Sequence, residues 1–93
     1  MDIKPLLLHD DFIDKVRILM NEIKELNQKK NKIGEVLKTL ELANLRVSYY
    51  EQFYKNNNYT SMYYKIFKDD YENAVAYRAT ILDLAHEYGI END

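Results

Sequence analysis

Few residues of this 93-residue chain have the types and spacing of a catalytic or metal site. His9, Asp10 and Asp11 stand together, but the only other histidine is His86, near the opposite end of the chain. Because an aspartate before a helix commonly caps it, we interpret Asp10 or Asp11 as an N-cap and His9 as a solvated neighbour. The chain has no cysteine, which excludes a disulfide, a thiolate metal site and a cysteine nucleophile. We therefore predict no metal and no cofactor.

Glu22 and Glu25 form a Glu-x-x-Glu pair on one helix face. The pair is similar to the Mg²⁺-binding pair of all-α nucleotide pyrophosphohydrolases, but the second acidic pair of those enzymes has no counterpart downstream. Lys29 follows Glu25 at the spacing of an ordinary helical ion pair. The chain also resembles the small helical chorismate mutases in length, yet its three arginines lie one on each predicted helix. We predict no enzyme, with a magnesium-dependent nucleotide hydrolase as a remote alternative.

Tyrosine is the clearest functional signal. All nine tyrosines lie between Tyr49 and Tyr88, and two adjacent pairs must each direct one ring away from the core. Exposed tyrosine offers a large contact area, a low ordering cost and a hydroxyl group, which suits a protein interface. The alternative is that tyrosine merely replaces phenylalanine and leucine in a thin core. The predicted partner-binding residues are Tyr50, Tyr54, Tyr59, Tyr64 and Tyr71.

Apolar residues recur at seven-residue spacing from Phe12 to Tyr54, a pattern typical of helices that bury a narrow seam. Six polar residues, 27–32, interrupt the apolar pattern and are followed by Gly34. Either the chain turns there, or one helix of about 45 residues continues through. We favour the turn, because a lone helix of that length would leave its seam uncovered.

The predicted fold is all-α: an antiparallel three-helix bundle with helices at about 11–27, 33–55 and 60–88. Three asparagines at 56–58 end the second helix, and Gly89 with Ile90 forms a C-terminal cap. Residues 1–93 form one domain, with an N-terminal arm at 1–9 and an acidic tail at 89–93. The alternative is a long helical hairpin that dimerises. Its self-association seam would contain Leu19, Leu26, Ile33, Leu40 and Val47.

The formal net charge of −3 makes nucleic-acid binding an unfavoured interpretation, although Lys29, Lys30 and Lys32 form a local basic cluster. The longest apolar run near the amino terminus, residues 6–8, is too short for a signal peptide or a membrane span. We therefore predict a cytoplasmic protein without membrane contact.

Two segments resemble known families. Residues 70–78 and 82–85 resemble the second helix of a tetratricopeptide repeat, but no second copy exists, so we interpret the match as a shared packing pattern. Residues 53–59, an Ala-Val pair and the Asp-Leu-Ala and Gly-Ile sequences near the end are similar to the carboxy-terminal half of a small helical anti-CRISPR protein. That resemblance implies a phage-type inhibitor of a type II effector nuclease that acts by binding.

The function predicted first is therefore a non-enzymatic, protein-binding regulator or inhibitor, in one version encoded by a phage or mobile element. The alternative is a self-associating coiled-coil structural or adaptor subunit.

Overall fold

A computed structural model describes residues 8–55 and 61–90, with the side chains of 8–52 and 65–90. These described residues form three helices, α1 (His9–Gln28), α2 (Lys32–Lys55) and α3 (Ser61–Glu87). The predicted all-α three-helix bundle is confirmed, and each predicted helix boundary lies within two residues of the observed one. Residues 1–7 of the predicted arm, 56–58 and 91–93 of the predicted tail lie outside the described residues.

α2 is the central helix, and α1 and α3 each pack against it. α1 runs antiparallel to α2, so that Phe12 lies beside Tyr49 and Glu22 beside Lys38. In the described part of the chain, no Cα atom of α1 lies within 8 Å of one in α3. The bundle is therefore open along the line between α1 and α3.

The core is built around one face of α2. Alanines at three core positions let the helix backbones approach closely, and Ala43 and Ala74 have no exposed surface. Among residues 8–52 and 65–90, the buried ones are Phe12, Leu19, Val36, Leu40, Ala43, Val47, Tyr49, Ala74, Ile81 and Ala85.

The α1–α2 connection is a turn, as predicted, and its positive-φ residue is Lys30 (φ 58°) rather than a glycine. The Asn31 N–H donates to the Leu26 carbonyl at 2.9 Å, and the Lys30 N–H donates to the Asn27 carbonyl at 3.0 Å. These two bonds define a Schellman cap, which ends α1 and reverses the chain.

Gly34 lies in the first turn of α2, where it serves the helix cap. Asn31 Oδ1 accepts a hydrogen bond from the Gly34 N–H at 3.0 Å. A Cβ atom at position 34 would lie 2.9 Å from Asn31 Nδ2, so any other residue would push against the capping side chain. Asn27 Nδ2 also donates to the Glu35 carboxylate, at 3.2 Å from Oε2, which links the end of α1 to the start of α2.

The outer ends of the bundle are capped differently. The predicted N-cap at Asp10 or Asp11 is wrong: α1 begins after Leu8, which makes no side-chain cap, and both aspartates lie in the first helical turn. Their carboxylates still favour the positive end of the helix dipole. The predicted cap at the end of α3 is confirmed, because Gly89 has φ 74° and the Ile90 N–H donates to the Ala85 carbonyl at 2.9 Å.

Candidate functional site

A groove of about 420 Å³ opens where the start of α1, the last third of α2 and the first half of α3 meet. We call it the aromatic groove, because four of the seven described residues that line it are phenylalanine or tyrosine. The full set of described lining residues is His9, Phe12, Ile13, Tyr49, Tyr50, Phe67 and Asp70. The groove lies at the open side of the bundle, where α1 and α3 diverge above α2.

The groove is built on a fixed stack of rings. The rings of Phe12 and Tyr49 are nearly parallel, at 7°, with their centroids 3.9 Å apart. Tyr50 meets Tyr49 edge-on, at a centroid distance of 5.3 Å and an angle of 70°. Contacts among the three rings restrict their orientations, so this part of the groove is organised before any ligand arrives.

The Tyr49 hydroxyl reaches the rim of the groove, where it lies 3.0 Å from His9 Nδ1. Burial of the Tyr49 ring, with a smaller contribution from Tyr50, raises the pKa of the hydroxyl above its usual value. A tyrosine hydroxyl is protonated at neutral pH, so it can donate to Nδ1 of His9 in the tautomer that leaves this nitrogen without a hydrogen. The sequence alone indicates only that His9 is a solvated neighbour of a cap. Its imidazole is exposed, but it is also tied to α2 through this bond.

The predicted tyrosine surface is only partly described. Tyr50 is half-buried and lines the groove, whereas its neighbour Tyr49 is buried, so this adjacent pair divides between core and surface as expected. Tyr71 is half-buried on α3 and is not among the lining residues. The side chains of Tyr54, Tyr59 and Tyr64 lie outside the described residues, and their role stays a prediction.

The residues predicted as a self-association seam occupy different environments. Leu19, Leu40 and Val47 are buried by the chain's own helices and offer no surface to a second copy. Leu26 is half-buried, and Ile33 is 51% exposed at the start of α2. Of the five predicted seam residues, Ile33 therefore presents the most surface to another molecule.

Of the acidic pair Glu22 and Glu25 singled out in the sequence, Glu22 forms an ion pair with α2. Glu22 Oε2 is shielded from solvent and lies 3.0 Å from Lys38 Nζ, and Lys38 also reaches Glu41 Oε2 at 3.3 Å. Hydrogen bonding to Glu22, then to Glu41, raises the pKa of Lys38 above its usual value. Throughout the part of the chain that the structure describes, no three histidine or acidic side chains are grouped to hold a metal ion.

Of the described groove residues, sequence reasoning named only Tyr50 as a contact residue. It missed His9, Phe12, Ile13, Tyr49, Phe67 and Asp70. The available signal was Asp70, a charged residue at a position where the helical spacing of α3 calls for an apolar one. Comparison of the chain with protein-family models, curated proteins and solved structures finds no match. Among residues 8–55 and 61–90, no helix combines the length and the apolar character needed to cross a bilayer.

Proposed function

We propose that this protein acts by binding another protein, without catalysis, and that the aromatic groove is the contact site. The observation that supports this proposal most directly is the preorganised ring stack beside half-buried Tyr50. Rigid aromatic side chains in a concave site are typical of interface positions that contribute most of the binding energy. A groove of about 420 Å³ suits one or two side chains of a partner segment.

The surroundings of the groove also support a protein partner. Ile13 lies at its rim with 37% of its surface exposed, and Ile66, next to Phe67 on α3, is 50% exposed. A partner that covered these two side chains would gain apolar burial around the central aromatic contact. The proposal places the protein in the cytoplasm, in line with its lack of cysteine.

A selection of displayed random peptides on the immobilised full-length protein tests the proposal. We expect peptides that bind the wild-type protein and lose at least tenfold in affinity against Tyr50→Ala, because a central tyrosine commonly contributes about 1–2 kcal/mol or more to an interface. Tyr88→Ala is the matched control, since Tyr88 is exposed at the far end of α3. Circular dichroism should show both variants folded.

Peptides that bind Tyr50→Ala as well as wild type would contradict the groove as the contact site. The predicted tyrosines with undescribed side chains are tested in the same format by a Tyr59→Ala/Tyr64→Ala double variant. Loss of peptide binding with helicity retained would extend the binding surface towards the α2–α3 connection, and retained binding would remove Tyr59 and Tyr64 from it.

The inhibitor version of this proposal is supported by the sequence resemblance of residues 53–90 to an anti-CRISPR protein. In that version the protein, encoded by a phage or mobile element, should reduce DNA cleavage by a purified type II effector nuclease. Cleavage assays with wild type and Tyr50→Ala give the comparison. Unchanged cleavage across a panel of such nucleases would remove this version and leave the more general proposal.

Self-association is the second candidate function, and exposed apolar residues away from the groove favour it. Ile18, Met20, Ile33 and Leu37 are each between 46% and 57% exposed on the α1–α2 hairpin. Light scattering on a sizing column across a tenfold dilution distinguishes the two candidates. A mass near 11.2 kDa at every concentration would contradict self-association, and a stable multiple would support it.

A further inference from the structure

Asp70 is the anomaly in the aromatic groove. It lies on the same face of α3 as Ala74, one turn later, which is completely buried, and Phe67, one turn earlier, which lines the groove. Helical spacing would place an apolar residue at position 70 to complete this face. A carboxylate there is half-buried among rings instead of being fully hydrated.

No cation of the described residues compensates this carboxylate. Lys68, two residues before Asp70, reaches Glu72 at 4.0 Å. The Arg46 guanidinium lies over the Tyr77 ring, 5.1 Å from its centroid. Partial burial of an unpaired carboxylate opposes folding, whereas a leucine at this position would favour it. A residue that breaks the local pattern of a helix face without a compensating contact marks a candidate functional position.

The chemistry of the groove favours a positively charged ligand. Aromatic faces attract cations, and a carboxylate beside them adds a direct ion pair. The chain already contains one cation–π contact between α2 and α3, where the Arg46 guanidinium lies over the Tyr77 ring. Arginine suits the site better than lysine, because its planar guanidinium is more weakly hydrated and stacks on rings.

We propose that the aromatic groove receives an arginine side chain of the partner protein, with Asp70 as its ion-pair acceptor and Tyr50 and Phe67 as its ring contacts. This inference rests on the proposed function and specifies the partner chemistry at the same site. It also explains why a charged residue interrupts the apolar face of α3.

The test uses N-acetyl-arginine methylamide as the probe in ¹⁵N–¹H NMR titrations of the full-length protein. N-acetyl-citrulline methylamide, which has nearly the same shape without the charge, is the control ligand. We expect saturable shifts at groove residues with the arginine probe in the millimolar range, and binding at least tenfold weaker with citrulline. Asp70→Asn should abolish the preference for the arginine probe over the citrulline probe. Asp69→Asn, a change at the exposed neighbouring residue, should keep that preference.

A stability measurement provides the second arm. Asp70→Leu should raise the midpoint of thermal unfolding by about 2–5 °C while it abolishes binding of the arginine probe. A lower midpoint in Asp70→Leu would show that a cation of the chain itself already pairs with Asp70, and would overturn the inference. Equal binding of arginine and citrulline probes would overturn it as well.

The outcome for the cation site is separable from that for the proposed function. One outcome is that selected peptides need Tyr50 for binding and yet bind Asp70→Asn with the same affinity as wild type. That result would overturn the arginine inference and leave the groove as a protein-binding site. The opposite outcome is also informative. If the protein prefers the arginine probe to the citrulline probe only when Asp70 is present, but no selected peptide needs Tyr50 for binding, the cation site is supported and the wider protein contact is contradicted.

Discussion

The turn between α1 and α2 leads to a quantitative prediction for Lys30→Gly. Lys30 has φ 58°, in the left-handed region, where an L-residue loses about 1–2 kcal/mol because its Cβ approaches a carbonyl oxygen. The Lys30 side chain is exposed, and no ion pair is found for it within the described part of the chain. Its replacement therefore changes the backbone cost with little loss of packing.

The expected gain is smaller than the full backbone cost. Glycine relieves the steric strain but gives the unfolded chain more freedom, which offsets about 0.4–1 kcal/mol of the gain. The net expectation is a stabilisation of about 0.5–1 kcal/mol, or a rise of about 2–8 °C in the unfolding midpoint of a domain of this size. Lys30→Ala is the matched control, because alanine removes the charge and keeps the Cβ.

Thermal and urea unfolding, followed by far-ultraviolet circular dichroism, measure the effect. Gly89 provides the mirror experiment, because it has φ 74° in the cap of α3 and a Cβ at this position would meet no atom within 4 Å. Gly89→Ala should lower the free energy of unfolding by about 0.5–1 kcal/mol, because the backbone strain outweighs the reduced freedom of the unfolded chain. If Lys30→Gly is no more stable than Lys30→Ala, the left-handed geometry of the turn and the reasoning built on it are refuted.

Two further predictions concern the core and the solution state. Because the pKa of Tyr49 is raised in the folded protein, the unfolded chain loses this proton at lower pH than the folded one. The contribution of Tyr49 to the free energy of unfolding should therefore be complete below about pH 10 and should fall as the pH rises further. Urea unfolding of wild type and Tyr49→Phe checks this, and an equal alkaline loss in both would rule out Tyr49 as a contributor. Ile33→Asp should keep helicity and change stability by at most about 0.5 kcal/mol, since Ile33 is exposed, whereas Val47→Asp should unfold the chain by burying a charge. Circular dichroism with light scattering measures both, and a dimeric wild type that Ile33→Asp converts to monomer would support the adaptor alternative instead.

The helices themselves could be predicted from local signals. Apolar spacing, the polar run at 27–32 and the Gly89–Ile90 pair each act within a few residues, so the number and order of the helices and the cap of α3 follow from neighbouring residues. The same local signals misplaced the start of α1. Asp10 and Asp11 favour both a cap and a first turn, and only packing of Phe12 against α2 fixes how the helix begins.

Lys30 shows a different limit of local reasoning. The polar run at 27–32, followed by Gly34, predicts a turn but not which residue takes the left-handed conformation, and that position falls on a lysine. The pairing of α1 with α2, which sets Asn27 against Glu35 and Glu22 against Lys38, decides where the chain must reverse. Tertiary contacts can impose a strained backbone on a residue with no preference for it.

The candidate site depends on tertiary structure more than any helix does. The aromatic groove joins His9, Tyr49 and Asp70, which are separated by 40 and 21 residues and share no motif. Composition alone indicated that tyrosines serve an interface, and spacing alone marked Asp70 as out of place. The rotation of each helix about its axis decides which tyrosine of an adjacent pair faces inward. It also decides which ring lies beside the Asp70 carboxylate. That rotation is set by side chains distant in sequence packing together, which no local pattern encodes.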